Sequence, residues 1–138
     1  MLLGFHTALL YSSNRHMPAK KLLIKSKLSS KRNQLEALEI ATSMVNYDPK
    51  NPDLRAIRAR VYNQLKDPEN ALRDYQVAID LKTKDSLVFT EKANIELSLH
   101  KPTNSVFTTA TGLSQFPCNH ELYYVRILAQ EEMGLMAS

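Results

Sequence analysis

The chain repeats itself every 34 residues, and this period limits what it can fold into more than any other feature. Pro18 and Pro52 are 34 residues apart, Pro68 and Pro102 are 34 apart, and Pro49 and Pro117 are twice that. All six prolines therefore fall on one period. Apolar side chains keep the same spacing. Leu54, Val88 and Leu122 form one column, Leu65, Leu99 and Met133 a second, Leu38, Leu72 and Val106 a third, and Val45, Ile79 and Leu113 a fourth. Small residues align too: Ala37 with Ala71 and Ser105, Ala59 with Ala93, and Ala78 with Gly112. Within each unit the apolar positions follow helical spacing. A unit of this length has room for two short helices and a turn, neither helix able to bury its apolar face alone, so neighbouring units are expected to stack. Small residues let the two backbones approach, and proline marks where a helix stops and the chain turns.

Residues 52–85, PDLRAIRARVYNQLKDPENALRDYQVAIDLKTKD, show the pattern most fully. Ala59 fills a small slot and Tyr62 an aromatic slot in the first helix, and Ala71, Tyr75 and Ala78 make a small–aromatic–small run in the second. Asp67 starts that second helix, with Pro68 at its first position. In period and slots this unit resembles the tetratricopeptide repeat family. It departs from the family at Arg55 and Arg58, where a large aromatic and a Leu are common, and at Thr83 in the closing proline slot.

The resemblance extends over roughly residues 18–134 and implies an all-α, right-handed superhelix of about three helix-pair repeats with terminal helices. Residues 18–51 read as a degenerate first repeat: its second helix, Asn33 to Tyr47, keeps Ala37 and the closing Asp48-Pro49 but has Ala41 in the aromatic slot. Its first helix, PAKKLLIKSKLSS, places Lys25 in the small slot. Residues 52–85 are the second repeat. Residues 86–119 are a degenerate third, keeping Phe89, Ala93 and Pro117. Its second helix, PTNSVFTTATGLSQF, is rich in Thr and Ser and contains Gly112, so it is expected to be the least stable element. Residues 120–138 read as a capping helix with Tyr123 in an aromatic slot and Gly134 closing it.

Composition narrows the function. A single cysteine in 138 residues excludes a disulfide framework and a multi-cysteine metal site. Three glycines leave no G-x-G-x-x-G or G-x-x-x-x-G-K phosphate loop. His6, His16, His100 and His120 have no carboxylate or Cys/His partner at ligand or relay spacing, and Cys118 with His120 reads as an inert turn. The chain is therefore expected to be non-enzymatic, with no metal and no cofactor. Binding surfaces are the better expectation. In the repeats that it resembles, the first helix of each pair lines a concave groove. The register puts Asp53, Ala56, Arg60 and Asn63 there in the second repeat, and Leu87, Thr90, Asn94 and Leu97 in the third. Glu121, Tyr124 and Leu128 follow on the cap, and Ala19, Leu22, Ser26 and Ser29 are the first-repeat equivalents. Of these, Arg60, Asn63, Thr90, Asn94 and Tyr124 are the candidate partner contacts: amides to bracket a peptide backbone, a guanidinium for a carboxylate, and an amphipathic aromatic anchor. The alternative is that they are ordinary exposed helix positions. Co-chaperones that this pattern resembles grip chaperone C-terminal carboxylates with a clamp of Lys, Asn and Arg. The matching slots here hold Leu22, Ser26, Ile57, Leu87 and Glu91, none of them basic, so that use is disfavoured.

Charge is unevenly placed. The net charge is +4, yet residues 1–35 carry seven basic side chains (Arg15, Lys20, Lys21, Lys25, Lys27, Lys31 and Arg32) and no acid. The remainder holds eleven basic residues and all fourteen acidic ones. Lys20, Lys21, Lys25, Lys27, Lys31 and Arg32 form a candidate basic docking surface: a solvated helix face, or a contact to phosphate on nucleic acid or an anionic membrane. The preceding segment, MLLGFHTALLYSSNRHM, has three readings: a helix capping the first repeat, a mitochondrial-type targeting segment, or a partner- or membrane-docking helix. The sequence thus points to an adaptor or scaffold binding a peptide or helix of a partner protein within a larger complex. The alternative is an organellar nucleoprotein or membrane-complex subunit docked through its basic head. An intracellular, cytoplasmic location is expected, with mitochondrial as the alternative.

Overall fold

A computed structural model of the chain describes residues 31–137. Among the described residues are six helices and no strand: α1 (Lys31–Tyr47), α2 (Pro52–Gln64), α3 (Pro68–Asp80), α4 (Ser86–Ser98), α5 (Pro102–Gln115) and α6 (His120–Ala137). They fall into two compact units divided between Leu81 and Lys82. The segment before Pro18 and the helix read from PAKKLLIKSKLSS lie outside the described residues.

The helix starts follow from short polar side chains set before proline or serine. Asn51 accepts the Asp53 backbone N–H at 3.0 Å and is followed by Pro52 at the first helical position. Asp67 accepts the Asn70 N–H at 3.3 Å, again followed by a proline, Pro68. Asp85 accepts the Leu87 N–H at 3.0 Å at the start of α4. Each satisfies one of the backbone donors that a helix N-terminus leaves open. Helix α5 begins with Pro102 after Lys101, which makes no side-chain cap. The turns α2–α3 and α4–α5 are copies of each other. Lys66 and His100, 34 residues apart, take left-handed φ angles of 61° and 57°. The next N–H, of Asp67 or Lys101, then returns to the Tyr62 or Glu96 carbonyl at 2.9 Å. This closes each helix in a Schellman turn, where glycine is the commonest left-handed residue.

In the first unit, α2 packs against both α1 and α3. Ala37, Ile40, Ala41, Met44, Val45, Leu54 and Val61 form its core, with Leu38, Ile57 and Leu65 against it. Ala59, Ala71, Tyr75 and Ala78 are fully buried, so the small slots read from the sequence are occupied as close approaches. In the second unit, α5 packs against α4 and α6, and α4 also touches α6. Gly112 is the tightest point: a Cβ there would lie 2.9 Å from both the Leu122 Cδ1 and Phe89 Cβ atoms. Phe89 also meets Phe116 edge to face, at 6.0 Å between ring centroids. Several α5 hydroxyls bond back to the carbonyls of their own helix, Thr109 to Ser105 and Thr111 to Phe107 at 2.9 Å each. Such bonds offer the backbone an alternative to the helix ladder.

One boundary differs from the sequence reading. Helix α6 continues through Gly134 to Ala137 rather than closing at the glycine. A Cβ at Gly134 would meet nothing within 4 Å. An exposed glycine inside a helix costs only about 1 kcal/mol relative to alanine, too little to end it.

Candidate partner-binding surface

The arginines that depart from the repeat pattern are explained by one buried carboxylate. Asp74, on α3, is 3% exposed and accepts from Arg58 at 2.6 Å (Nε) and 2.8 Å (Nη2), and from Arg55 at 3.4 Å. The paired fork-to-carboxylate geometry is the strong form of this contact. Hydrogen bonding to Asp74, helped by its charge and opposed by burial, raises the Arg58 pKa above its usual value, so the guanidinium stays charged. The Tyr62 ring lies 5.8 Å from the same guanidinium. Thr83, in the closing proline slot, is buried and its hydroxyl accepts the Asp85 N–H at 3.1 Å.

The second unit repeats this link with different chemistry. Lys92 and Thr108 occupy the slots of Arg58 and Asp74 one period on. The Lys92 ammonium donates to Thr108 at 3.0 Å and to Glu96 at 3.2 Å, while the Thr108 hydroxyl donates to Glu96 at 2.5 Å. All three residues are buried. The closed ring of donors and acceptors leaves no charge uncompensated. These are structural bonds: they consume the polar groups that they bury and offer none of them to a ligand.

The groove candidates separate by exposure. On α2, Asp53 and Asn63 are exposed, Arg60 is half-buried and already engaged within the protein, and Ala56 is buried. On α4, Leu87 is 49% exposed, Asn94 is exposed and Leu97 half-buried. On α6, Tyr124 is 64% exposed, Glu121 is exposed and Leu128 half-buried. Thr90 is a correction. It is buried, and its hydroxyl donates to the Ser86 carbonyl at 3.4 Å, so it is not an open contact position. A β-branched hydroxyl one turn past a helix start commonly folds back in this way. The first-repeat equivalents, Ala19, Leu22, Ser26 and Ser29, lie outside the described residues.

The basic docking surface is described only at its end. Lys31 and Arg32 are exposed at the start of α1, whereas Lys20, Lys21, Lys25 and Lys27 lie outside the described residues. A cleft of about 650 Å³ on α1 is lined by Arg32, Leu35, Glu36, Leu38, Glu39, Thr42 and Ser43. Two carboxylates against one guanidinium make this lining a poor match for phosphate. Among the described residues no group of three His, Cys, Asp or Glu side chains is placed to hold a metal, and no helix is long and apolar enough to cross a membrane. Cys118 and His120 are both exposed.

Sequence reasoning passed over the buried polar links. The signal was the column Arg58, Lys92, Arg126, three bases at 34-residue spacing on the first helix of successive pairs.

No protein-family model matches the sequence, and no curated protein matches it. Solved structures do match. The first TPR of Spaghetti (RPAP3), bound to the HSP90 peptide SRMEEVD, has a TM-score of 0.67 and 24% identity, over 87% of this chain and 95% of that one. The TPR2B domain of yeast Sti1, in its pHsp70 complex, has a TM-score of 0.71 at 16% identity, over 83% and 96% of the two chains. The Sgt2 TPR domain from Aspergillus fumigatus gives 0.70 at 14%, over 86% and 81%. At such identities the likeness is one of fold, and it agrees with the 34-residue columns and the six helices built on them. The chain has a tetratricopeptide-repeat-like, all-helical repeat fold.

Proposed function

We propose that the chain is a non-enzymatic adaptor that holds a peptide or helix of a partner protein on the exposed face of α4 and α6, within a larger assembly. The supporting observation is that Leu87 and Tyr124, 49% and 64% exposed, stand on neighbouring helices of one unit together with the exposed amide of Asn94. Apolar and aromatic anchors beside an amide suit an extended or helical backbone carrying apolar side chains. Of the structural neighbours above, one is bound to an HSP90 peptide ending in Glu-Glu-Val-Asp and one is in a pHsp70 complex. In this chain the described clamp slots are Ile57, Leu87 and Glu91, which bring no positive charge to a terminal carboxylate. The favoured ligand is therefore an internal, apolar-rich segment rather than an acidic C-terminus.

Co-purification from native extract with three baits tests this reading: the intact chain, residues 33–138, and a Leu87→Glu/Asn94→Ala/Tyr124→Ala variant. The expected outcome is a partner retained by the first two and lost with the third at unchanged helix content. A partner lost only on removing residues 1–32 would move the functional surface to the basic head.

A further inference from the structure

Helix α6 carries a second surface, beside the Tyr124 face. On α2 the row Arg55, Arg58, Ala59 is covered by α3, and on α4 the row Phe89, Lys92, Ala93 is covered by α5. One period further on, the same row on α6 is Tyr123, Arg126, Ile127. Here Tyr123 is 45% and Ile127 53% exposed, whereas Phe89, Ala59 and Ala93 are fully buried. Among the described residues Tyr123 and Ile127 of this row are left exposed, and no hydrogen bond or ion pair holds the half-buried Arg126. We propose that this row docks an acidic helix of a partner protein, one that sets a carboxylate against Arg126 and a small residue against Ile127.

The chemistry of the occupant is read from the two completed copies. In each, the cation of the row finds its oxygen on the covering helix: Arg58 on Asp74, Lys92 on Thr108. A guanidinium in that slot is matched by a carboxylate, as at Asp74, because among unmodified side chains only a carboxylate meets two of its N–H groups while compensating the charge. Ile127 stands where Ala59 and Ala93 admit close approach, so the small residue must come from the covering helix instead. The chain's own N-terminal segment does not suit this slot, since residues 1–35 contain no acid.

The test uses the full 138-residue chain, isotopically labelled, and a side-chain-stapled helical peptide of residues 67–81 as probe. That peptide carries Asp74 between Ala71 and Ala78 and is the acidic small-faced helix that Arg58 already accepts. Amide shifts are expected at Tyr123, Arg126, Ile127 and Gln130. Arg126→Glu in the chain, or Asp74→Asn in the peptide, should weaken binding at least tenfold. Arg126→Asp combined with Asp74→Arg in the peptide should restore it. Circular dichroism of the Arg126 variants separates lost binding from lost fold. Equal binding by the Asp74→Asn peptide, shifts confined to α2, or no binding at all would overturn the proposal. So would a dimer of the intact chain that Ile127→Glu dissociates, because the occupant would then be a second copy.

Discussion

Arg58 on α2 and Asp74 on α3 meet through two parallel hydrogen bonds of 2.6 and 2.8 Å, both side chains largely out of water. One period along, Lys92 reaches Thr108 across the same slots at 3.0 Å. The two helix pairs thus share an internal polar link at the same slots. Its two halves are interdependent. Asp74→Ala would strand the half-buried Arg58 charge and is expected to cost about 3 kcal/mol, the low end for breaking a buried pair, whereas Asp74→Ala with Arg58→Leu should recover much of that loss. Urea unfolding of the two variants checks it, and a double variant as unstable as the single would count against the pairing.

Ser105 is a misfit in a column otherwise made of Ala37 and Ala71. It is fully buried, and its hydroxyl has no hydrogen-bond partner among the described residues. Ser105→Ala removes that orphan and improves helix propensity. A gain of about 1 kcal/mol is expected, seen as a higher urea midpoint at unchanged slope.

Gly112 should resist the same substitution. Alanine gains about 1 kcal/mol in helix propensity, but its Cβ would press on the Phe89 Cβ and Cγ atoms at 2.9 and 3.0 Å, which lie close to the backbone and cannot swing aside. Overpacking of this kind costs about 1–3 kcal/mol. Gly112→Ala is expected to lower the midpoint, the reverse of Ser105→Ala seven residues earlier on the same helix.

Lys66 pays for its left-handed turn. With φ at 61° and an exposed side chain, it holds a conformation that costs a non-glycine residue about 1–2 kcal/mol. Lys66→Gly relieves this, less the extra entropy of a glycine in the unfolded chain, for an expected gain of up to about 1 kcal/mol. A fall in thermal midpoint would contradict the Schellman reading of the turn.

The helices were legible because their signals are local. Pro52 and Pro68 open α2 and α3 where the period puts them, and Asp67 caps as its side chain predicts. The links between helices were not legible. Arg55 and Arg58 stand out as misfits in sequence because Asp74 lies 16 residues or more away, and only the fold brings it to them. Thr90 failed as a contact for a related reason. Register assigned it to the groove face, but register says nothing of a hydroxyl that turns back onto its own helix. Gly134 misled because one exposed glycine costs a helix only about 1 kcal/mol, too little by itself to end it.

The central claim, that a partner segment lies on the α4/α6 face, is tested most directly by site-specific photo-crosslinking in native extract. A photoreactive residue is placed singly at Asn94, at Tyr124, at Gln76 on α3, and at Phe107, which is 75% exposed on α5 and controls for mere stickiness. The expected result is one common adduct at positions 94 and 124, absent at 76 and 107. The same adduct at 107 or 76, with none at 94 and 124, would contradict it.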